Sequence, residues 1–292
     1  MQQAPIVWGK VLYKRQPFED NHVDPDKFLL EMKKNAHVEY YDFWQLVHHT
    51  SNIIQQLAIV VLFVIVFRFI RLQEISTDFL FTVNACIVFL WLLTRIYVAS
   101  HLLLQHLRVI VVFMVVVLFL SPLIRTLTLN FASDTIWALT IMLLSIHLVL
   151  YEYQADGETP LMAISTNLAM FAAVLLSSRL DTVEGTFNFL GFSMIVFALI
   201  PTLRRELREA SRAGFTATTL GLVALSVWGL AQFFPMLAAM FLGAVLSIAF
   251  LLPRCMLLMQ ASSKFQISGP WDEAVPKTSA SVEEWRNTGL LQ

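Results

Sequence analysis

Eight apolar runs, each about 20 residues long, begin near Asn52, Phe79, Val109, Thr135, Leu161, Val183, Phe215 and Met236. A helix of about 20 apolar residues crosses roughly 30 Å of hydrocarbon with its backbone donors and acceptors paired inside the segment. Repetition of that length predicts an all-α fold, a polytopic membrane helical bundle of about eight transmembrane helices. The composition agrees, with 57% of residues hydrophobic and only 14% charged, where a soluble domain carries about 25% charged residues. Lys and Arg number 20 against 21 Asp and Glu, so the chain lacks the basic footprint of a nucleic-acid binder.

The run boundaries follow from local signals. The first two runs, residues 52–70 and 79–99, flank a short loop, and the third is expected to end around Leu127, after the helix-perturbing Ser121-Pro122. The fourth should run from Thr135 to about Tyr153 with Ser133 or Asp134 as its N-cap. The fifth stops near Ser178, and the sixth is expected to end at Pro201 to Leu203, ahead of the basic Arg204, Arg205, Arg208 and Arg212. Residues 215–252 form one apolar stretch broken only by Pro235, which reads as a helical hairpin. Placed on an alternating topology, sixteen of the twenty Lys and Arg residues fall on the side of the N-terminus, leaving Arg68, Arg71, Arg125 and Arg179 on the other. Under the positive-inside rule both termini are cytoplasmic and the number of spans is even.

Three regions follow: a cytoplasmic N-terminal segment (1–51), the eight-span transmembrane domain (52–259) and a cytoplasmic tail (260–292). The first fifty residues hold thirteen charged side chains and no apolar core of signal-peptide length, so insertion is expected to begin with an internal helix. Asp24-Pro25 reads as an N-cap with proline at the first helical position, opening a short amphipathic helix to about Val38. That helix either lies in the membrane interface, docks on a partner or packs on the protein's own cytoplasmic face.

Candidate chemistry is sparse. Cys86 and Cys255 lie inside apolar runs and are expected to behave as small buried hydrophobes. Asp24-Pro25-Asp26 matches the Asp-x-Asp pattern of metal-dependent sugar-nucleotide enzymes, but no βαβ pattern or Gly-rich loop accompanies it, and the capping role explains it. His101 and His106 are five apart, not the four of a helical zinc pair. His147 lies about 9 Å inside the end of the fourth span by helical rise. It shares a polar stripe with Thr140, Tyr151 and Gln154, suited to an interhelical hydrogen bond or to a lipid headgroup. At the junction of the third and fourth spans, Ser121, Arg125, Thr126 and Asp134 gather a kink, hydroxyls and charges. Arg125 there can hold a lipid phosphate, snorkel to water or pair with Asp134. Asn84 and Asn167 read as helix-packing groups. No catalytic residue, cofactor or metal is expected.

The segment from Lys10 to Asn21, Lys-Val-Leu-Tyr-Lys-Arg-Gln-Pro-Phe-Glu-Asp-Asn, followed by Val23-Asp24, closely resembles the start of the PIG-C family. The likeness continues through Gln55-Gln56-Leu57, Ser121-Pro122, Thr126-Leu127-Thr128, Ser133 to Ile136, His147-Leu148, Ser178-Arg179-Leu180 and Gly269 to Ala274. It departs at Glu152-Tyr153, where the family tends to have Asp-Tyr. The second and third spans and the tail beyond Pro276 resemble the family only in character. The resemblance implies membership of the endoplasmic-reticulum complex that moves N-acetylglucosamine from UDP-GlcNAc to phosphatidylinositol, the first step of GPI-anchor synthesis. It implies PIG-A as the catalytic partner, with PIG-H, PIG-P, PIG-Q and PIG-Y as companions, and this chain as a non-catalytic scaffold that helps present the lipid. Arg15, Gln16, Pro17, Phe18, Asp20, Asn21, Gly269, Pro270, Trp271 and Asp272 are the candidate partner interface. The rival reading is a stand-alone lipid transporter or scramblase using the polar face of the fourth span.

Overall fold

A computed structural model describes residues 15, 17–18, 33–34, 41–99, 103–128, 130–153, 159–263 and 267–268. The chain divides into two units, one of residues 42–255 and one of residues 1–41 with 256–292. Every regular element described in the first unit is helical. In chain order the helices are α1 (Phe43–Arg71), α2 (Thr77–Ala99), α3 (Leu103–Leu127), α4 (Ser133–Leu150), α5 (Pro160–Ser177), α6 (Val183–Ala210), α7 (Arg212–Phe233) and α8, which starts at Pro235. They match the eight apolar runs in order. Seven are long and apolar enough to cross a membrane, and α3 contains the shorter apolar segment Ile110–Thr126.

Caps and turns explain most of the ends. Asp42 caps α1 by accepting from Trp44 N at 3.1 Å, so that helix starts a good two turns before its apolar run. Thr159, Thr182 and Ser211 cap α5, α6 and α7 through their hydroxyls. The expected cap of α4 is corrected: Ala132 holds the N-cap position without a side-chain bond, and Ser133 and Asp134 lie in the first turn. An acid there still meets the positive end of the helix dipole.

The expected stop at Pro201 is also corrected, because α6 continues to Ala210. A proline inside a helix offers no N–H to the carbonyl four residues back, and its ring crowds that carbonyl. In α6 the π-turn Ile195–Leu199 closes just before Pro201, and in α8 the π-turn Ser247–Leu251 closes just before Pro253. Ile200 N–H bonds Ile195 O and Leu252 N–H bonds Ser247 O, and this wider turn relieves the crowding so that both helices continue. Arg204, Arg205 and Arg208 therefore sit on helix, not in a loop.

Most of α1 and α6 is buried, whereas the other spanning helices bury a third or less of their length. Phe63 of α1 stacks on Phe189 of α6 with ring centroids 4.9 Å apart and meets Phe197 edge-on at 5.0 Å. Phe67 adds contacts to Phe189 and to Trp137 of α4, both at 5.6 Å. Around this core the peripheral helices turn apolar side chains such as Phe119, Val149 and Met236 outward, to where lipid would lie. The same arrangement corrects the reading of the cysteines, since Cys86 and Cys255 are both exposed. In a membrane bundle an apolar neighbourhood marks the lipid-facing surface as readily as the interior.

In the second unit Lys33–Lys34 and Ile267–Ser268 form a two-residue antiparallel pair, Lys33 opposite Ser268 and Lys34 opposite Ile267. Extended Lys33–Lys34 interrupts the helix expected to reach Val38; the rest of that expectation, with Asp24-Pro25-Asp26, lies outside the described residues.

Candidate functional site

Four helices of the first unit meet in a chain of polar side chains. Gln56 of α1, fully buried, accepts at Oε1 from Arg204 Nη1 of α6 at 3.1 Å. Its amide nitrogen therefore faces His147 of α4, with Nε2 to Nε2 at 2.8 Å. That fixes the tautomer: His147 accepts at Nε2 and carries its proton on Nδ1, toward the carbonyl of Ser165 of α5 at 2.8 Å. Ser165 Oγ in turn donates to His147 O at 2.9 Å. No spare donor or acceptor is left on the imidazole.

The chain ends at Arg204, which is only 9% exposed. Its Nη2 donates to the Tyr151 hydroxyl, and its guanidinium carbon lies 5.3 Å from the centre of that ring. Among the described residues no carboxylate lies within ion-pair distance of Arg204. Glu206, the acid nearest in sequence, pairs with Arg95 of α2. Arg204 is thus held by neutral partners that orient it without cancelling its charge.

Arg204 opens on a cavity of about 360 Å³, within the range of small-molecule sites. Arg205 and Arg208 line it from α6, Tyr151, Glu152 and Tyr153 from the end of α4, Thr159 and Asn167 from α5, and Asn52 from α1. Apolar walls come from Met162, Ala163, Phe197, Ala198 and Pro201. Tyr153 OH donates to Leu148 O at 2.6 Å; burial first, then neighbouring Tyr151, push its phenol up to about 12 against the pull of Arg204. It is a neutral group at any physiological pH. Thr159 accepts from Met162 N at 3.2 Å and donates to Glu152 Oε2. Three guanidiniums, one of them buried and pre-oriented, suit an anionic group such as a phosphodiester, which arginine binds through paired donors.

Of the residues singled out in the sequence, His147 and Tyr151 come together here. Ser121, Arg125, Thr126 and Asp134 belong to the other end of α3 and α4, where Ser121 Oγ bonds Val117 O at 2.6 Å and Thr126 Oγ1 bonds Leu123 O at 2.8 Å. Arg125 forms no ion pair with the exposed Asp134. The cation that organises that end is Arg179, whose Nη2 donates to Thr128 O at 3.0 Å and Phe131 O at 2.5 Å. Asn84 packs helices as expected, donating to Asn188 O at 2.9 Å, whereas Asn167 lines the cavity. Arg15 and Pro17 are exposed and Phe18 is half-buried; Gln16, Asp20, Asn21, Gly269, Pro270, Trp271 and Asp272 lie outside the described residues.

Sequence reasoning missed Arg204, Gln56, Ser165, Glu152 and Tyr153 as site residues. The arginines had served as a marker of sidedness, which hid their second use. Gln55-Gln56, two amides inside an apolar run, was the available signal. Gln55 goes to α7, donating to Phe215 O at 3.2 Å and Thr219 Oγ1 at 2.7 Å, and only Gln56 faces the cavity network.

The profile of the GPI2 family, described as phosphatidylinositol N-acetylglucosaminyltransferase, matches residues 8–272. The C subunit of the human phosphatidylinositol N-acetylglucosaminyltransferase is 32% identical over 94% of this chain and 95% of its own length. A putative C subunit of the same enzyme in Dictyostelium discoideum is 34% identical over 91% and 79%, and the GPI2 subunit of Schizosaccharomyces pombe 30% identical over 94% and 88%. No solved structure matches. A match over this much of the chain, carried by a membrane bundle whose four-helix polar network ends at an arginine-lined cavity, shows that the chain belongs to the GPI2 family, that of the C subunit of phosphatidylinositol N-acetylglucosaminyltransferase.

Proposed function

We propose that this chain is the non-catalytic membrane scaffold of the complex that transfers N-acetylglucosamine from UDP-GlcNAc to phosphatidylinositol in GPI-anchor synthesis. In this reading it crosses the endoplasmic-reticulum membrane eight times with both termini cytoplasmic, residues 1–51 and 260–292 flanking a transmembrane domain of residues 52–259. It holds the lipid acceptor by its phosphate, while PIG-A carries out the transfer and PIG-H, PIG-P, PIG-Q and PIG-Y complete the assembly. The observation that carries the reading is Arg204, a buried guanidinium with neutral partners that faces a cavity shared with Arg205 and Arg208. The names of the relatives supply the lipid, phosphatidylinositol.

The rival, a stand-alone lipid transporter using the polar face of the fourth span, loses its main support. His147 is fully buried and both its ring nitrogens are committed, so α4 offers no continuous polar track at that position. Gentle-detergent purification of the tagged chain, with mass spectrometry of what stays bound, tests the reading. Recovery of the glycosyltransferase subunit together with phosphatidylinositol is expected, and Arg204→Gln should retain the subunits and lose the lipid. A chain that purifies alone and moves lipid between leaflets of reconstituted vesicles would replace it with the rival.

A further inference from the structure

The cavity contains a group that a phosphate site does not need. Glu152 lines the same space as Arg204, Arg205 and Arg208, yet forms no ion pair with any of them. A carboxylate beside a bare anion site weakens it, unless the ligand itself brings hydrogen-bond donors to that side. Thr159 donates to Glu152 Oε2, which leaves Oε1 without a hydrogen-bond partner among the described residues. Asn52 of α1 is a second group of this kind. It is 4% exposed, lines the cavity, and its amide makes no hydrogen bond to any described residue. An acceptor-only carboxylate and an amide with both donors and acceptors match a ring of hydroxyls, each of which gives and takes one bond.

We propose that the cavity is divided by chemistry: the arginine face of α6 takes the phosphodiester, and Glu152 with Asn52 takes the hydroxyls of the polyol attached to it. Glu152 is then the specificity-determining residue, selecting an inositol headgroup over other anionic phospholipids, while Arg204 supplies affinity for the phosphate common to them all. A half-buried acceptor matched to a hydroxyl discriminates, because a ligand lacking that hydroxyl covers the acceptor without pairing it. This division rests on the reading that the cavity holds a lipid headgroup.

The test is binding of the purified full chain, in its complex, to phosphatidylcholine nanodiscs containing phosphatidylinositol, phosphatidic acid or phosphatidylethanolamine. The wild type should prefer phosphatidylinositol over both others by about tenfold, the worth of one hydrogen bond to a charged acceptor. Glu152→Gln, isosteric and on the half-buried rim, should erase most of that preference while phosphatidic acid binding holds or rises. Arg204→Gln should weaken phosphatidylinositol and phosphatidic acid alike, and Arg205→Gln repeats that arm with less risk to the buried network. Equal wild-type binding of phosphatidylinositol and phosphatidic acid with both above phosphatidylethanolamine, or a preference for phosphatidylinositol that survives Glu152→Gln, would overturn the division and leave the headgroup reading standing. Strongest binding of phosphatidylethanolamine would overturn it in favour of an ammonium beside Glu152. No preference for any of the three would overturn the division and the headgroup reading together.

Discussion

At the scale of single residues, the site is a question of who satisfies whom. Gln56 faces His147 with its nitrogen only because Arg204 has taken its oxygen, and His147 holds its proton on Nδ1 only because Gln56 donates to Nε2. His147→Ala strands the Gln56 amide in the interior, and an unsatisfied buried donor costs about 1–3 kcal/mol. Hydrogen bonds inside membrane bundles average nearer ~0.6 kcal/mol, so the lower end is expected, read as a lowered thermal midpoint in detergent. Arg204→Lys keeps the charge but not the fork that joins Gln56 and Tyr151. We expect an intact complex whose KM for phosphatidylinositol rises several-fold while its KM for UDP-GlcNAc holds; a fall in kcat with both KM values unchanged would assign Arg204 to chemistry instead. Tyr153 gives a pH signature. Its phenol titrates at about 12 in the fold against an ordinary value of 10.0, so the folded state is favoured fully below the ordinary value and loses that advantage as pH rises toward the higher one. Tyr153→Phe should make the fall in thermal midpoint above pH ~10 shallower. His147 and Tyr151 were legible as a polar stripe at helical spacing. Their partners were not, because Gln56, Ser165 and Arg204 lie on three other helices and no spacing rule connects them.

Among the helices, three contacts set how α1 sits against α7. Gln55 and Ser226 tie it to α7, Ser226 Oγ reaching Ala58 O at 3.2 Å, and Gly229 lets the two backbones approach. A Cβ at Gly229 would meet Ile65 Cγ2 at 2.9 Å, closer than real Cβ contacts come, and Cδ1 at a tight 3.1 Å, so Ile65 would have to shift. Gly229→Ala should destabilise by about 1–3 kcal/mol through overpacking. Ile65→Ala in the same chain should recover part of the loss, a non-additivity measurable as a double-mutant cycle in thermal unfolding. The apolar runs located α5, α6 and α7, whereas Thr159, Thr182 and Ser211, which cap them through local bonds, were not among the caps expected from the sequence. The end of α6, at Ala210 and not at Pro201 to Leu203, has a non-local cause. Pro201 reads as a terminator in the sequence, whereas the π-turn that accommodates it depends on backbone register that no residue type announces.

Across the molecule, the alternating helices bring the start of α1, the end of α4, the start of α5 and the end of α6 to one cavity. In the topology drawn from charge, these ends share the cytoplasmic side. A glycosylation acceptor inserted in the short turn at Ser178 to Asp181 should be modified in microsomes, while one placed in the N-terminal segment should not. Modification of the N-terminal site would invert the topology and move the arginine-lined cavity to the lumenal face.

The sequence by itself determined the class of fold, the order of the eight helices and the family. Hydrocarbon thickness sets the length of a span, which is read from consecutive residues, and no tertiary contact is needed to see it. Only the tertiary structure decided which polar residues form a site. Once α1 and α6 are buried together, Gln56 has a single donor partner for its oxygen, and Arg204 turns inward on a helix that its proline failed to stop. Desolvation makes such pairings obligatory in the interior, but packing chooses the partners, and packing is set by helices far apart in the chain.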